Sequence, residues 1–240
     1  MRLWLWEFYA LGYDALSISL PHKFIRERVM QVIKAHKKGT YFDLGCGTGT
    51  MLLTLSKDDK ESKMIGVDAS YTMVSISRIK QILWQRGNVS VLWKSADDLA
   101  SLNNNSVDIV YSINTLFTLP NPTMIMNKIV NMLKGDGVIV IALPTENFSS
   151  TGMVREHIKL LKKLSFAKRF LNIMASILLI PLWTIVLISN LLISLMEKSG
   201  TYTIYNKSKA LALIHNSGLK LINYEEILSR QMMVVTAEKI

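Results

Sequence analysis

Apolar and polar segments alternate along this chain with the rhythm of strand, turn and helix. Five short β-prone runs stand out: Thr40–Leu44, Lys63–Val67, Ser90–Trp93, Ile109–Ile113 and Val138–Leu143. Helical stretches precede and separate them, at roughly Lys23–Lys37, Gly49–Ser56, Tyr71–Gln85 and Thr123–Leu133. This alternation predicts an α/β fold, a parallel sheet covered by helices on both faces. Two later β-prone runs, Leu219–Ile227 and Gln231–Glu238, are split by a short turn and predict an antiparallel hairpin that closes the sheet. One segment departs from the rhythm: Phe170 to Met196 holds 27 residues without a charged side chain.

The first strand runs into Asp43-Leu44-Gly45-Cys46-Gly47-Thr48-Gly49. Three glycines at alternate positions let a strand turn sharply into a helix and leave the main chain bare. A ligand can then approach amides at the positive end of the helix. The second strand ends at Asp68, 19 residues beyond Gly49, and a carboxylate there can accept hydrogen bonds from both hydroxyls of a ribose. Loop and acid together describe a nucleoside site at the carboxyl edge of the sheet. The G-x-G-x-G spacing fits a dinucleotide fingerprint poorly, because Met51 and Leu52 occupy the region of its third glycine. A Walker phosphate loop fits no better, since no lysine follows the glycines until Lys57.

At these residues the chain resembles the class I S-adenosylmethionine (SAM) dependent methyltransferases. Asp43–Gly49 is similar to that family's first motif, and Asp68 to its ribose-binding acid. The likeness continues through Ala96-Asp97-Asp98-Leu99, Asp108–Asn114 and Leu133-Lys134-Gly135-Asp136-Gly137, placed ahead of the strand Val138–Ala142. It covers roughly residues 8–147 well and the last 35 loosely. The resemblance implies a Rossmann-like, seven-stranded, mostly parallel sheet in three α/β/α layers, with SAM as cofactor and S-adenosylhomocysteine as product. It implies that Gly45, Gly47 and Gly49 line the methionine part of SAM, with Asp43 holding its amino group and Cys46 filling the loop between them. Asp68 would hold the ribose, Ala69 or Ser70 would flank the adenine, and Ala96 and Asp97 would clamp its edge. Asn114 would sit beneath the sulfonium, and Tyr13 would belong to a flap over the cofactor. Where many relatives carry an aspartate just before the clamp alanine this chain has Ser95, leaving Asp97 to bond the adenine amino group.

Charge and composition narrow the setting. The formal charge is +10, from 28 basic and 18 acidic side chains, yet the basic residues are not interleaved with aromatics as on a nucleic-acid surface, so no nucleic-acid partner is expected. The lone cysteine, Cys46, excludes an intramolecular disulfide. Met1–Phe8 is too short an apolar run for a signal peptide and is interrupted by Glu7; Trp4, Trp6 and Phe8 suit either packing on the core or a lipid interface. The long apolar segment follows Arg155, Lys159, Lys162, Lys163, Lys168 and Arg169, against the single acid Glu156. Such a cluster suits an anionic cytosolic membrane face. The segment is long enough to span a bilayer, but a single crossing would strand the last two β runs on the far side and expose a sheet edge. Pro181 breaks a helix. The expectation is therefore two short apolar helices bent near Pro181, lying on or dipping into one leaflet; the alternative is an apolar homodimer interface or a lid. The chain divides into a helical flap (1–38), a SAM-binding core (39–147), a basic then apolar helical insertion between strands 5 and 6 (148–206), and the last part of the sheet (207–240).

Chemistry is less legible. Asn114-Thr115-Leu116-Phe117 lacks the prolines of the motif that holds a nucleobase amine, and no acidic cluster suggests a metal. For a hydroxyl or an acidic carbon as acceptor a base would help; the candidates are His22, His157 and Tyr202, with Tyr205 and His215 behind them. The function expected is methyl transfer from SAM to a lipophilic small molecule, such as a quinone precursor, a lipid or a hydrophobic natural product, at the cytoplasmic face of a membrane. The alternatives are a non-catalytic membrane-bound SAM-binding scaffold and a soluble, dimeric natural-product methyltransferase.

Overall fold

A computed structural model describes residues 3–36, 39–101 and 104–240. Met1, Arg2 and the expected helix end at Lys37 lie outside the described residues. The strands are β1 (Thr40–Leu44), β2 (Lys63–Asp68), β3 (Val89–Trp93), β4 (Val107–Ile113), β5 (Leu133–Pro144), β6 (Leu219–Ile227) and β7 (Met232–Lys239). They form one sheet of seven strands in the order β3-β2-β1-β4-β5-β7-β6. β1 through β5 pair in parallel, whereas β7 runs antiparallel between β5 and β6. This is the Rossmann-like fold with a reversed terminal hairpin.

The helices are α1 (Leu3–Tyr13), α2 (Leu20–Lys34), α3 (Thr50–Asp58), α4 (Tyr71–Leu83), α5 (Pro122–Met132), α6 (Ser150–Lys162), α7 (Phe166–Leu178), α8 (Ile180–Lys198) and α9 (Lys207–Asn216). They cover both faces because the central strands bury side chains of both parities. In β5, Ile139, Ile141 and Leu143 join a core with α5 and α9, while Val138, Val140 and Ala142 join a second core with α2 and α3. The period of two, applied to a strand apolar throughout, fixes the three layers.

Three features differ from expectation. β5 begins at Leu133, five residues before the expected start at Val138, because the glycine-rich stretch stays extended and pairs with β4 across an irregularity between Val107 and Ile109. Residues 207–240 hold more than sheet: α9 precedes β6, capped by the Asn206 side chain, which accepts from the Lys209 amide at 2.9 Å. Its buried face is only Ala210, Leu213 and Ile214, too little apolar patterning to read from sequence. The insertion is three helices, α6, α7 and α8, with the break at Leu179 and Pro181 in the first turn of α8, where a missing amide costs nothing.

α1 lies between the core and α8. Near its middle the Glu7 carboxylate accepts the Tyr71 and Thr72 amides at 2.8 and 2.9 Å, fastening α1 to the N-terminus of α4. Past its inner end Asp14 accepts from Lys80 and Thr48, each at 2.6 Å. α8 runs along the opposite side of α1, in the reverse sense: Gly12 meets Leu182 and Ile185, and the Tyr9 hydroxyl donates to Asn190 Oδ1 at 3.0 Å. α8 is long and apolar enough to cross a membrane by length and composition, and α7 has no buried residue at all.

Ile139 is fully buried in the middle of β5. Ile139→Ala should lower unfolding free energy by about 2–5 kcal/mol, read from the urea midpoint at unchanged slope.

Candidate active site

β1 is flanked by β2 on one side and β4 on the other, so chain direction across the sheet reverses there and leaves a crevice beyond the carboxyl ends of the strands. The glycine turn fills that point. Gly45, Gly47 and Gly49 have φ of +74°, +53° and +74°, a region that L side chains rarely adopt. Their reasons differ. A Cβ on Gly45 would lie 2.0 Å from Thr115 Oγ1, and one on Gly49 would lie 2.0 Å from Ser77 Oγ, so both are glycine for packing as well as for φ. A Cβ on Gly47 would meet nothing closer than the Tyr13 ring at 3.5 Å. Gly47 is therefore the bare floor, and Tyr13 the ring above it.

Asp68 organises the turn. Its Oδ2 accepts from the Gly47 amide and its Oδ1 from the Ser70 amide, each at 2.9 Å. Burial holds its pKa above the usual carboxylate range despite these two bonds. The cleft around it has a volume of about 460 Å³, suited to a nucleoside-sized ligand. Gly45, Gly47, Asp68, Ala69, Ala96, Asp97, Asn114 and Tyr13 all line it. Trp93 adds an aromatic wall, its indole N–H donating to the Ala69 carbonyl at 2.9 Å. α1 contributes Leu3 and Trp6 as the roof.

A small annex of about 50 Å³ adjoins the cleft and shares Tyr13, Gly45 and Asn114 with it. Asp43, Cys46, His22 and Arg26 line this annex and not the main cleft. Burial pushes Asp43 up to about 8, with the Tyr111 hydroxyl pulling the other way and Asp68 adding to the rise. Burial also drives His22 down to about 4, helped by Arg26, so its ring is neutral at pH 7; its Nδ1 pairs with Ser19 Oγ at 3.0 Å. Asn114 takes a left-handed φ of +58°, and its Oδ1 is buried without a partner among the described residues. Strain and an orphaned acceptor at a strand end point to a ligand.

Several expected positions fall elsewhere. Gly49 does not line the cleft; it makes room for α4. Cys46 turns its thiol toward Gly66, where an added Cβ would lie 2.9 Å from Sγ. His157 sits on α6 and accepts the Leu20 amide at 3.3 Å, away from the cleft, because α6 packs on α2 and does not roof the pocket. Tyr202 is buried edge-on against Phe117, 5.8 Å between ring centroids, and Tyr205 bridges to Thr145. Sequence reasoning missed Arg26 and Trp93, and set Trp6 down only as packing or a lipid contact. No local motif marks them; they reach the site through the placement of α2, β3 and α1.

A profile of methyltransferase domains matches residues 35–212. The chain belongs to this methyltransferase-domain family. It is 28% identical over 138 residues to the carboxy-S-adenosyl-L-methionine synthase of Desulfotalea psychrophila, covering 55% of this chain and 56% of that protein. It is 29% identical over 132 residues to the demethylmenaquinone methyltransferase of Shouchella clausii, covering 53% and 56%. The chain spans about half the length of the curated relatives it matches. Among solved structures, a SAM-dependent methyltransferase from Aquifex aeolicus superposes with a TM-score of 0.61 at 16% identity, over 95% of this chain and 93% of that one. The [4+2]-cyclase SpnF superposes at 0.65 with 12% identity, over 91% and 80%. These likenesses describe the fold.

SAM is the cofactor that membership of this methyltransferase-domain family implies, and the residues present fit it. Asp68 suits the ribose, bare Gly47 a close approach of the ligand, and the buried Asp43 an ammonium group. Arg26, across the annex, suits a carboxylate. An ammonium beside Asp43 needs that carboxyl ionised, so binding must expel its proton. SAM affinity should therefore rise about tenfold per pH unit between about 6 and 7.5, and flatten above 8. Calorimetry should show this slope in the wild type and its loss in Asp43→Asn. The same shift makes the ligand-free fold less stable as pH rises from about 4 to about 8, since the native state keeps a proton the unfolded chain has released. Asp68→Ala should weaken SAM binding on the order of a hundredfold.

Proposed function

We propose that this protein is a SAM-dependent methyltransferase that methylates a lipophilic small molecule at an anionic membrane surface, on the cytoplasmic side. The observation that carries the membrane part is the two-sidedness of α8. One side packs on α1, the roof of the cleft, while Leu187, Leu191 and Leu195 on the other remain more than half exposed. α7 extends that apolar surface with Phe170, Leu171 and Leu178, and Lys162, Lys163 and Lys168 stand exposed at its start. Because β6 and β7 rejoin the same sheet after the insertion, a surface-bound arrangement keeps the sheet whole and a spanning one does not. The demethylmenaquinone methyltransferase relative supports a quinone precursor among the acceptors.

SAM bound in the cleft supplies an electrophilic methyl group on a sulfonium. The chain's own part is to hold the two ends of the cofactor, at Asp68 and at Asp43 with Arg26, and to exclude water with Trp6 and Tyr13. Much of the rate then comes from positioning the acceptor. No general base is assigned: His22 faces the cofactor end of the site, and His157 lies outside it.

A soluble dimer buried through α7 and α8 would use the same apolar faces; sedimentation with and without detergent separates the cases, since only the dimer keeps its mass when detergent is removed. A non-catalytic scaffold would bind SAM without turnover. Incubation with radiolabelled SAM and a total lipid extract should yield organic-soluble counts; their absence overturns the enzymatic reading. Reversing Lys162, Lys163 and Lys168 to glutamate should weaken binding to anionic vesicles on the order of a hundredfold with SAM affinity unchanged. Equal vesicle binding would remove the membrane reading.

A further inference from the structure

Tyr111 stands in β4 directly across from Asp43 of β1, its register partner in the parallel pair. Side chains alternate between the two faces of a sheet, so position along the strand tells which face each takes. Tyr41 and Ile109, two residues before Asp43 and Tyr111, belong with Tyr111 to the core on the α2 and α3 side. Asp43 and Tyr111 therefore point the same way, side by side.

The Tyr111 side chain is fully buried, and its hydroxyl closes no hydrogen bond of ordinary geometry among the described residues. Such groups are rare in native interiors, and each one calls for a cause. A phenylalanine would supply the same ring to the core and leave no polar atom bare. Asp43 supplies the cause. Asp68 has the Gly47 and Ser70 amides on its oxygens, whereas among the described residues no backbone amide or cation bonds the Asp43 carboxyl. Burial and the charge of Asp68 oppose its ionisation, and the Tyr111 hydroxyl favours it. The phenol itself is held well above its ordinary range, first by burial and then by Asp43, so it keeps a proton to donate. Asp43 lines the annex, while Tyr111 lines neither the annex nor the cleft. Any effect of Tyr111 on a ligand passes through Asp43.

We propose that Tyr111 is a positioning residue for the cofactor: its hydroxyl donates to the Asp43 carboxylate once that group ionises and holds it for the ammonium of SAM. This rests on the SAM-binding reading of the site. In the empty protein Asp43 is neutral and a poor acceptor, which leaves the hydroxyl bare. When an ammonium enters the annex, Asp43 releases its proton to solvent and becomes a strong acceptor. The phenol then fixes the orientation of the carboxylate from behind. Removing the hydroxyl should cost the liganded state and spare the empty fold.

Tyr111→Phe removes the hydroxyl and keeps the ring. Carbon-13 NMR of the aspartate carboxyls, assigned with Asp43→Asn, follows the ionisation of Asp43 in the ligand-free protein. Its midpoint should rise by about one pH unit in Tyr111→Phe. At pH 7, calorimetry should show S-adenosylhomocysteine bound about tenfold more weakly. In an Asp43→Asn background the same substitution should change affinity by about twofold at most, because the two residues act as one unit. The melting temperature of ligand-free Tyr111→Phe should match or exceed that of the wild type. An unmoved Asp43 midpoint, a loss of equal size in the Asp43→Asn background, or a lowered melting temperature overturns the proposal. Equal affinity of wild type and Tyr111→Phe at pH 7 sinks the positioning role and leaves the cofactor reading standing. A wild type that does not bind S-adenosylhomocysteine overturns both.

Discussion

Two carboxylates, Asp43, buried, and Asp68, half-buried, stand at the ends of neighbouring parallel strands, and no ion pair to either is found among the described residues. Both are pushed up by burial, which penalises the ionised form, and like charge adds to the penalty, from Asp68 on Asp43 and from Glu7 on Asp68. The fold tolerates this in two ways. Asp68 spends its oxygens on the Gly47 and Ser70 amides, which makes it the fastening of the glycine turn. Asp43 keeps its proton. A ligand carrying an ammonium and a sulfonium is the kind that relieves both, so the site is prepared electrostatically before anything binds.

The roof over those carboxylates is a helix with two attachments of different kind. Toward the core, α1 is held by charge-assisted bonds through Glu7 and by Asp14 just beyond its end. Toward α8 it is held by aromatic packing and a close approach at Gly12, where a Cβ would lie 2.8 Å from the Leu182 carbonyl oxygen. Whatever covers the outer face of α8 thus sits two helices away from the cofactor, and Trp6 and Tyr13 touch both worlds. An apolar insertion far along the sequence becomes part of the architecture of the cleft.

Of the fold, much was legible. The strands were marked by apolar runs bounded by turn residues, and the break near Pro181 by the chemistry of an imino acid. The early start of β5 and helix α9 were not, because a glycine-rich extended stretch resembles a turn and a ten-residue helix with three buried side chains carries little periodicity. Of the site, the positions that shape backbone could be read directly: Gly45, Gly47 and Asp68 stand in the cleft because turn geometry and strand ends are local matters.

What depends on distant packing could not. Gly49 answers to Ser77 on α4, not to a ligand. His157, from an insertion for which a lid was one alternative, lies against α2, and the cleft is roofed by α1, within the flap expected at residues 1–38. Arg26, Trp93 and Trp6 enter the site from three separate elements. The sequence by itself determined a doubly covered parallel sheet with a nucleoside-type turn, since both follow from short-range periodicity and from glycine's access to positive φ. Only the tertiary structure decided which side chains face that turn, because long-range packing sets the direction of a side chain and no local pattern records it.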